Sequence, residues 1–206
     1  TDRKWSGIPV AAANMDTTGV FSVASVLQDH GMLTCLHKFY SVKELEQAWR
    51  QGVSPNNVAI TCGSTEESLQ LLKRKMATNL ELQMICIDVA NGYREVFLDF
   101  VKVVRKDFPD KIIIAGNVAT NEMTEALILA GADVVKVGIG PGSVCTTRKV
   151  AGVGYPQLSA IAECADAAHG LGGHVMADGG CNSPGDISKA FAAGADFVML
   201  GGLFAG

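Results

Sequence analysis

Residues 131–138 read GADVVKVG, and residues 194–201 repeat the pattern as GADFVMLG. In both copies a glycine that can end a helix precedes a short run of β-branched and apolar residues. The pattern predicts a turn from a helix into a buried strand, used twice in the same chain. We interpret it as repetition of a βα unit and not as a solenoid repeat.

Apolar runs of this kind occur eight times along the chain, spaced by about 25 residues in its first half. They cover residues 8–15, 33–38, 58–63, 84–89, 111–118, 134–139, 174–180 and 197–202. Amphipathic helical stretches lie between them: one opens at Ser41 with Glu44 three residues later, and another ends at Gly131. A doubly wound sheet would more usually carry G-x-G-x-x-G after its first strand, and no such motif follows residue 15. The sequence therefore predicts an α/β fold, a single TIM (β/α)8 barrel over residues 1–206.

The amino-acid composition is the one expected of buried strands, and it argues against nucleic acid and anionic membranes as partners. Hydrophobic residues make up 48% and charged residues 18% of the chain, a balance expected when strands are covered on both faces. A net charge of −4 gives no general attraction for nucleic acid or for an anionic membrane, and no apolar run approaches the roughly 18 residues of a membrane span. The six cysteines lack C-x-x-C spacing, which favours reduced thiols. We expect a cytoplasmic protein.

The chemistry of a barrel lies where its strands end, at the carboxyl edge. After the sixth run comes GPGSVCTTR at residues 140–148, a glycine-rich loop that places hydroxyl groups beside the thiol of Cys145. Such a loop can bind an ion and carry a nucleophile, although a small buried cysteine is the alternative interpretation. His37 and Asn117 lie near the ends of two other runs, where helix capping, core contacts and site roles all remain open.

Pairs of glycines end the seventh and eighth runs, at positions where barrels usually hold a phosphate group. Asp178 precedes the first pair and could accept hydrogen bonds from sugar hydroxyls. A phosphorylated sugar or nucleotide is the predicted class of substrate. The four glycines are Gly179, Gly180, Gly201 and Gly202.

The motifs GIGPGSVCTTR, ADGG and VMLGG resemble those of the IMP dehydrogenase and GMP reductase family, and the resemblance covers essentially the whole chain. The stretches ANMDTTG, HKFY and DVANGY are closer to the reductase branch. Asn91 and Gly92 stand where the dehydrogenases typically have a histidine-glycine pair, and residues 40–58 leave room for one helix where they usually carry a regulatory insert.

The resemblance implies NADPH-dependent reductive deamination of GMP to IMP and ammonia, through a covalent cysteine-purine intermediate in a homotetramer. Cys145 would attack carbon 2 of the purine, and Thr147 would help proton transfer as ammonia leaves. Positions matching substrate contacts are Asp178, Gly179, Gly180, Gly201 and Gly202. Positions matching cofactor contacts are Lys38, Asp88, Val89, Ala90, Ile139 and Gly140. Positions whose main-chain carbonyls would bind potassium are Gly140, Gly142, Cys145 and Arg148.

Two other functions remain open at this point. The chain could be an NAD-dependent IMP dehydrogenase, or a nucleotide-binding barrel without activity. Compared with the family pattern, we expect residues 1–206 to form a barrel without the N-terminal segment, the mobile flap and the last helix. In the reductase branch, the segment containing the flap and the last helix also brings a glutamate that partners the threonine.

Overall fold

A computed structural model describes residues 3–143 and 145–205; Thr1, Asp2, Gly206 and Val144 of the cysteine loop lie outside the described residues. Within that range the strands are β1 (Val10–Ala12), β2 (Leu33–Leu36), β3 (Val58–Cys62), β4 (Met84–Asp88), β5 (Ile112–Val118), β6 (Val134–Val137), β7 (His174–Asp178) and β8 (Phe197–Leu200). The helices are α1 (Phe21–Gln28), α2 (Val42–Arg50), α3 (Glu66–Met76), α4 (Glu95–Asp107), α5 (Asn121–Ala130), α6 (Thr147–Val150), α7 (Gln157–Gly170) and α8 (Pro184–Ala192). Short 3-10 turns lie at Pro55–Asn57 and Gly202–Phe204.

The eight strands pair in sequence order, all in parallel, and β1 closes the sheet on β8. The prediction of a TIM barrel is confirmed, and each strand lies inside one of the predicted apolar runs. Most of the predicted runs extend past the end of their strand into the following loop. Those extra residues form the carboxyl rim of the barrel, where its chemistry is expected.

The repeated GAD motif has a physical cause in the sheet. Gly131 and Gly194 take φ angles of +113° and +105°, a left-handed conformation that favours glycine after a helix. The aspartate two residues later accepts a hydrogen bond from the neighbouring strand: Asp133 Oδ2 from the Ile113 N–H and Asp196 Oδ2 from the Val175 N–H, both at 2.8 Å. The motif therefore ends a helix and ties the entering strand to its neighbour.

The predicted start of α2 is also confirmed. The Ser41 N–H donates to Glu44 Oε2 at 2.7 Å, and the Glu44 N–H donates to Ser41 Oγ at 3.3 Å, so that the two residues form a capping box. Between β2 and β3 the structure contains α2 and one 3-10 turn, with no room for a further domain in that segment. Among the helices that the structure describes, none has the length and apolar character needed to cross a membrane.

Alternate residues of the strands fill the barrel interior. The apolar interior cluster includes Cys35, Cys86, Val134 and Met199, and Lys136 follows Val134 by two residues, so it points to the same side of its strand. Beside it, a Cβ atom on Gly116 would lie 2.6 Å from the Lys136 Cβ, so only glycine fits there. The interior is thus apolar at its centre and becomes polar at Lys136, directly below the rim.

Candidate active site

The loops that follow β6 and β7 pack against each other at the rim. Gly179 and Gly180 take φ angles of +86° and +84°, and a Cβ atom on Gly179 would lie 3.0 Å from Pro141 Cγ and 3.3 Å from the Gly142 nitrogen. A side chain at Gly179 would therefore push the two loops apart. The glycine turn after β7 brings the predicted phosphate-binding backbone next to the cysteine loop.

Cys145 is half-buried in this loop, and its thiol sulfur lies 3.3 Å from the hydroxyl oxygen of Thr147. Hydrogen bonds from the Thr147 side chain, and next from the Thr147 N–H, hold the pKa of the Cys145 thiol below its ordinary value. The charge of Arg148 acts in the same direction. Since the thiolate is the nucleophilic form of cysteine, the local structure favours a reactive Cys145.

The six cysteines are free thiols, as predicted, and they differ in their surroundings. Cys164 lies buried in α7, where burial raises the pKa of its thiol to about 11. Cys181, half-buried after the glycine turn, also has its pKa raised by burial. Cys145 therefore stands apart from these two, because its pKa is lowered.

This contrast predicts a labelling experiment with iodoacetamide, followed by peptide mass spectrometry across a pH series. Because the pKa of Cys145 is lowered, its thiolate persists to lower pH, and its alkylation rate should have its inflection below the ordinary thiol pKa of about 8.5. Cys181 is the internal control, with its inflection above that value. An inflection for Cys145 at or above that of Cys181 would contradict the assigned environment.

A buried cluster of charged groups lies at the floor of the rim. Lys136 Nζ donates to Asp88 Oδ1 at 2.5 Å, to Asn14 Oδ1 at 3.1 Å and to Asp178 Oδ2 at 3.4 Å. Burial alone lowers the pKa of a lysine, but the surrounding charges, that of Asp178 foremost, outweigh burial and raise the pKa of Lys136. Lys136 is therefore a charged ammonium group in the barrel interior.

The amides of Asn117 and Gln157 fix the end of β7. Asn117 Nδ2 donates to Asp178 Oδ2 at 2.8 Å and to the Gly138 carbonyl at 3.0 Å. Gln157 Nε2 donates to the Val137 carbonyl at 2.8 Å and to the Asp178 carbonyl at 3.3 Å. Asn117, whose role the sequence left open, thus belongs to the rim. Lys136, Asn14 and Gln157 were missed by sequence reasoning.

The structure places the other predicted site residues around this centre. Gly201 and Gly202 follow β8, and a Cβ atom on Gly201 would lie 3.2 Å from Met15 Sδ in the loop after β1. Asp88 is the last residue of β4, and Ile139 and Gly140 begin the cysteine loop. Lys38 follows β2, where its carbonyl accepts a hydrogen bond from Lys75 Nζ at 2.7 Å.

A small cavity of about 150 Å³ lies beside Lys38 and is lined also by Phe39, Ser68 and Lys75. A larger cavity of about 600 Å³ lies at the opposite end of the barrel, where Trp5 and Phe197 form part of its wall. Barrel enzymes carry their chemistry at the carboxyl ends of the strands, so we place the candidate active site at the rim and not in the larger cavity.

Comparison with known proteins gives consistent matches over nearly the whole chain. The sequence profile described as the IMP dehydrogenase / GMP reductase domain matches residues 5–206. A GMP reductase of Vibrio cholerae serotype O1 is 58% identical over 206 residues, which is 99% of this chain and 59% of that protein. A GMP reductase of Caenorhabditis elegans is 58% identical over 205 residues, which is 98% of this chain and 57% of that protein.

A solved structure agrees with these relatives. The crystal structure of inosine 5'-monophosphate dehydrogenase from Legionella pneumophila superimposes with a TM-score of 0.87 at 38% sequence identity. The match covers 97% of this chain and 59% of that one. The chain thus spans less than two thirds of the length of the proteins that it matches.

Proposed function

The chain belongs to the IMP dehydrogenase / GMP reductase family, and we propose that it takes part in the NADPH-dependent reductive deamination of GMP to IMP and ammonia. The observation that carries the proposal is the pairing of the Cys145 thiol with the Thr147 hydroxyl at 3.3 Å. This pair lies beside the glycine turn after β7, in a barrel whose relatives at 58% identity are named GMP reductase.

The proposed reaction uses the thiol as a covalent catalyst. The Cys145 sulfur forms a bond to carbon 2 of the purine, the bond from that carbon to its amino group breaks, and ammonia leaves with a proton passed through Thr147. A nicotinamide cofactor held near Lys38, Asp88 and Gly140 would supply the hydride that the same carbon takes up. The bond between carbon and sulfur then breaks, which releases IMP and returns the Cys145 thiolate. The lowered pKa of Cys145 supports both its attack and its departure.

The substrate side of the site lies after β7 and β8 in this proposal. Asp178 would accept hydrogen bonds from the ribose hydroxyls, and Gly179, Gly180, Gly201 and Gly202 would hold the phosphate through backbone N–H groups. Both internal side-chain bonds of Asp178 use Oδ2, and its side chain is 22% exposed. The carboxylate can therefore bind a ligand without giving up its internal partners.

The cofactor side would involve Lys38, Asp88, Val89, Ala90, Ile139 and Gly140. The exposed Lys38 suits an anionic dinucleotide, and Asp88 is partly exposed at the end of β4. The Val89 N–H donates to the Gly116 carbonyl, and the Val89 carbonyl accepts from the Asn117 N–H. Because both backbone groups already have partners, Val89 would contribute packing contacts to the cofactor site and not hydrogen bonds. These residues fit a dinucleotide such as NADPH along the rim between β2 and β6.

Potassium would bind to main-chain carbonyls of the cysteine loop, at Gly140, Gly142, Cys145 and Arg148. Carbonyl oxygens are suitable ligands for an alkali cation. The Gly142 carbonyl accepts a hydrogen bond from the Cys145 N–H at 3.1 Å, whereas no backbone N–H of a described residue donates to the other three carbonyls. The loop therefore offers acceptors that a cation could satisfy, and its residues fit the proposed ion.

Assembly and location complete the proposal. Family resemblance favours a homotetramer in the cytoplasm that acts on GMP and IMP. The net charge of −4 gives no general attraction for nucleic acid or for an anionic membrane. Free thiols at all six cysteines are consistent with a reducing compartment.

Asp178→Asn should weaken GMP binding, because the neutral amide loses the charged acceptor for the ribose hydroxyls. Hydrogen bonds to charged groups contribute roughly 1.5 to 3 kcal/mol, so we expect the Kd for GMP to rise about tenfold to a hundredfold. NADPH affinity should fall several-fold at most. Titration calorimetry with each ligand measures both values. Asp99→Asn, in an exposed pair with Lys102, is the control; an equal loss for both ligands in Asp178→Asn would contradict a sugar contact.

The proposed function itself is tested by two parallel assays on the purified protein. With GMP and NADPH we expect NADPH oxidation together with release of ammonia and IMP. With IMP and NAD we expect no comparable production of NADH. NADH production from IMP without ammonia release from GMP would instead assign the dehydrogenase activity, and tight nucleotide binding with neither reaction would assign a binding function.

A further inference from the structure

One buried ammonium group lies beneath the two proposed ligand sites. The Lys136 side chain is 1% exposed, and its nitrogen contacts Asp88, Asn14 and Asp178 within 3.4 Å. An ammonium group has three hydrogen-bond donors, so these three acceptors match its full capacity. The position of Lys136 is thus defined by bonds to three different strand ends.

The two carboxylates belong to different ligand sites. Asp88 ends β4, on the proposed cofactor side, and Asp178 ends β7, on the proposed nucleotide side. These strands are not neighbours, because β5 and β6 lie between them in the barrel. Lys136 reaches both from β6 and so connects two strand ends that the sheet does not pair.

One oxygen of each carboxylate accepts a hydrogen bond from Lys136, and the other oxygen does not contact the lysine. Asp88 uses Oδ1 and Asp178 uses Oδ2, while the two side chains remain 29% and 22% exposed. Asn117 binds the same Oδ2 of Asp178 at 2.8 Å. The inner oxygens are therefore held by the protein, and these bonds set the direction of the outer ones.

The charge of Lys136 is needed to keep this arrangement. Two carboxylates at one site repel each other, and without a cation one of them takes up a proton or turns away. A buried pair that loses one partner is also strongly destabilised, because the remaining charge lacks compensation. A change at either aspartate is therefore transmitted to the other through the shared ammonium group.

We propose that Lys136 is a positioning residue that holds Asp88 and Asp178 as one oriented, ionised unit and thereby couples binding at the cofactor and nucleotide sites. The identity of the two ligands rests on the proposed function. Coupling between sites is reciprocal in free energy, so a change at Asp88 should affect GMP binding and a change at Asp178 should affect NADPH binding.

Lys136→Met tests the proposal, since it keeps the length of the side chain and removes its charge. We expect the Kd values for GMP and for NADPH each to rise about tenfold or more, and Lys136→Arg to recover part of both losses. In a double-mutant cycle, Asp88→Asn should weaken GMP binding several-fold when Lys136 is present and have no such effect in the Lys136→Met background. A purely structural lysine would not produce that ligand-specific coupling.

Lys102→Met, in an exposed pair with Asp99, is the matched control and should bind both ligands as the wild type does. If Lys136→Met fails to fold, Asp88→Asn and Asp178→Asn carry the test, because both retain the buried cation. A folded Asp88→Asn variant with unchanged GMP affinity overturns the proposal. So does a folded Lys136→Met variant that binds both ligands normally.

A measurement without ligand separates this proposal from the proposed function. If the wild type binds neither GMP nor NADPH, the proposed function is wrong, and the role of Lys136 is then judged by carbon NMR. The carboxyl resonance of Asp178 should shift on Asp88→Asn in the presence of Lys136 and should not shift in the Lys136→Met background. If the chemical shift of the Asp178 carboxyl carbon does not change in Asp88→Asn, the proposed coupling is wrong.

Discussion

Cys145→Ala should lower GMP turnover by at least about 10⁴-fold while GMP affinity stays within a few-fold of the wild type. The thiol forms the proposed covalent intermediate, whereas the proposed ribose and phosphate contacts lie at the end of β7 and in the loops after β7 and β8. Turnover is measured by NADPH oxidation and affinity by calorimetry. Cys164→Ala, which removes a buried thiol in α7, is the control and should keep the rate.

A Cys145→Ala protein that still turns over GMP at a comparable rate would remove the nucleophile assignment. A protein that loses GMP binding together with turnover would mean that Cys145 shapes the pocket. The assignment requires both parts of the result, a lost rate and a retained affinity.

Thr147→Val should lower turnover by about 10² to 10⁴-fold, the range typical of general acid-base catalysis. Valine keeps the volume of threonine and removes the hydroxyl group that lies 3.3 Å from the Cys145 sulfur. The same change should also raise the thiol pKa of Cys145, because the Thr147 side chain is the largest cause of its lowering. Rate and alkylation profile are measured on one preparation.

Thr146→Val provides the matched control for this variant. Thr146 is the adjacent residue, exposed at the start of α6, and its side chain makes no capping hydrogen bond there. We expect its turnover to stay within a few-fold of the wild type. Equal losses in the two variants would indicate that the hydroxyl of Thr147 has no special role and that the loop is merely sensitive to substitution.

Much of the fold was predictable because local patterns repeat. The GAD motif marks two helix-to-strand turns, and the apolar runs locate all eight strands. Ser41 and Glu44 act within three residues of each other, so their capping box is visible in the sequence. The proximity of Cys145 and Thr147 is local for the same reason.

The polar floor of the site could not be predicted in the same way. Lys136 stands in the apolar run VVKV, where a single lysine is the one available signal, and its partners lie 42, 48 and 122 residues away. Their meeting depends on barrel closure, which brings the ends of β1, β4, β6 and β7 together. Hydrogen bonds between side chains so far apart in the sequence produce no periodic pattern, so the sequence alone does not predict them.

Arg148 shows a related difference between motif and structure. The resemblance implies a role for its main-chain carbonyl, whereas the structure shows its side chain donating to the carbonyls of Ile139 and Tyr155. A Cβ atom on Gly140 would lie 2.7 Å from Arg148 Cγ, so the arginine packs closely on the loop that it shapes. The sequence indicates the loop, and the structure adds the hydrogen bonds by which the Arg148 side chain stabilises it.

The most direct test of the account follows the hydride. GMP is incubated with the wild-type protein and NADPH deuterated at carbon 4 of the nicotinamide, and the product is examined by mass spectrometry and proton NMR. We expect IMP with one deuterium at carbon 2, one equivalent of ammonia for each NADPH oxidised, and no labelled product from Cys145→Ala. Unlabelled IMP, or labelled IMP formed equally well by Cys145→Ala, would contradict reductive deamination through Cys145.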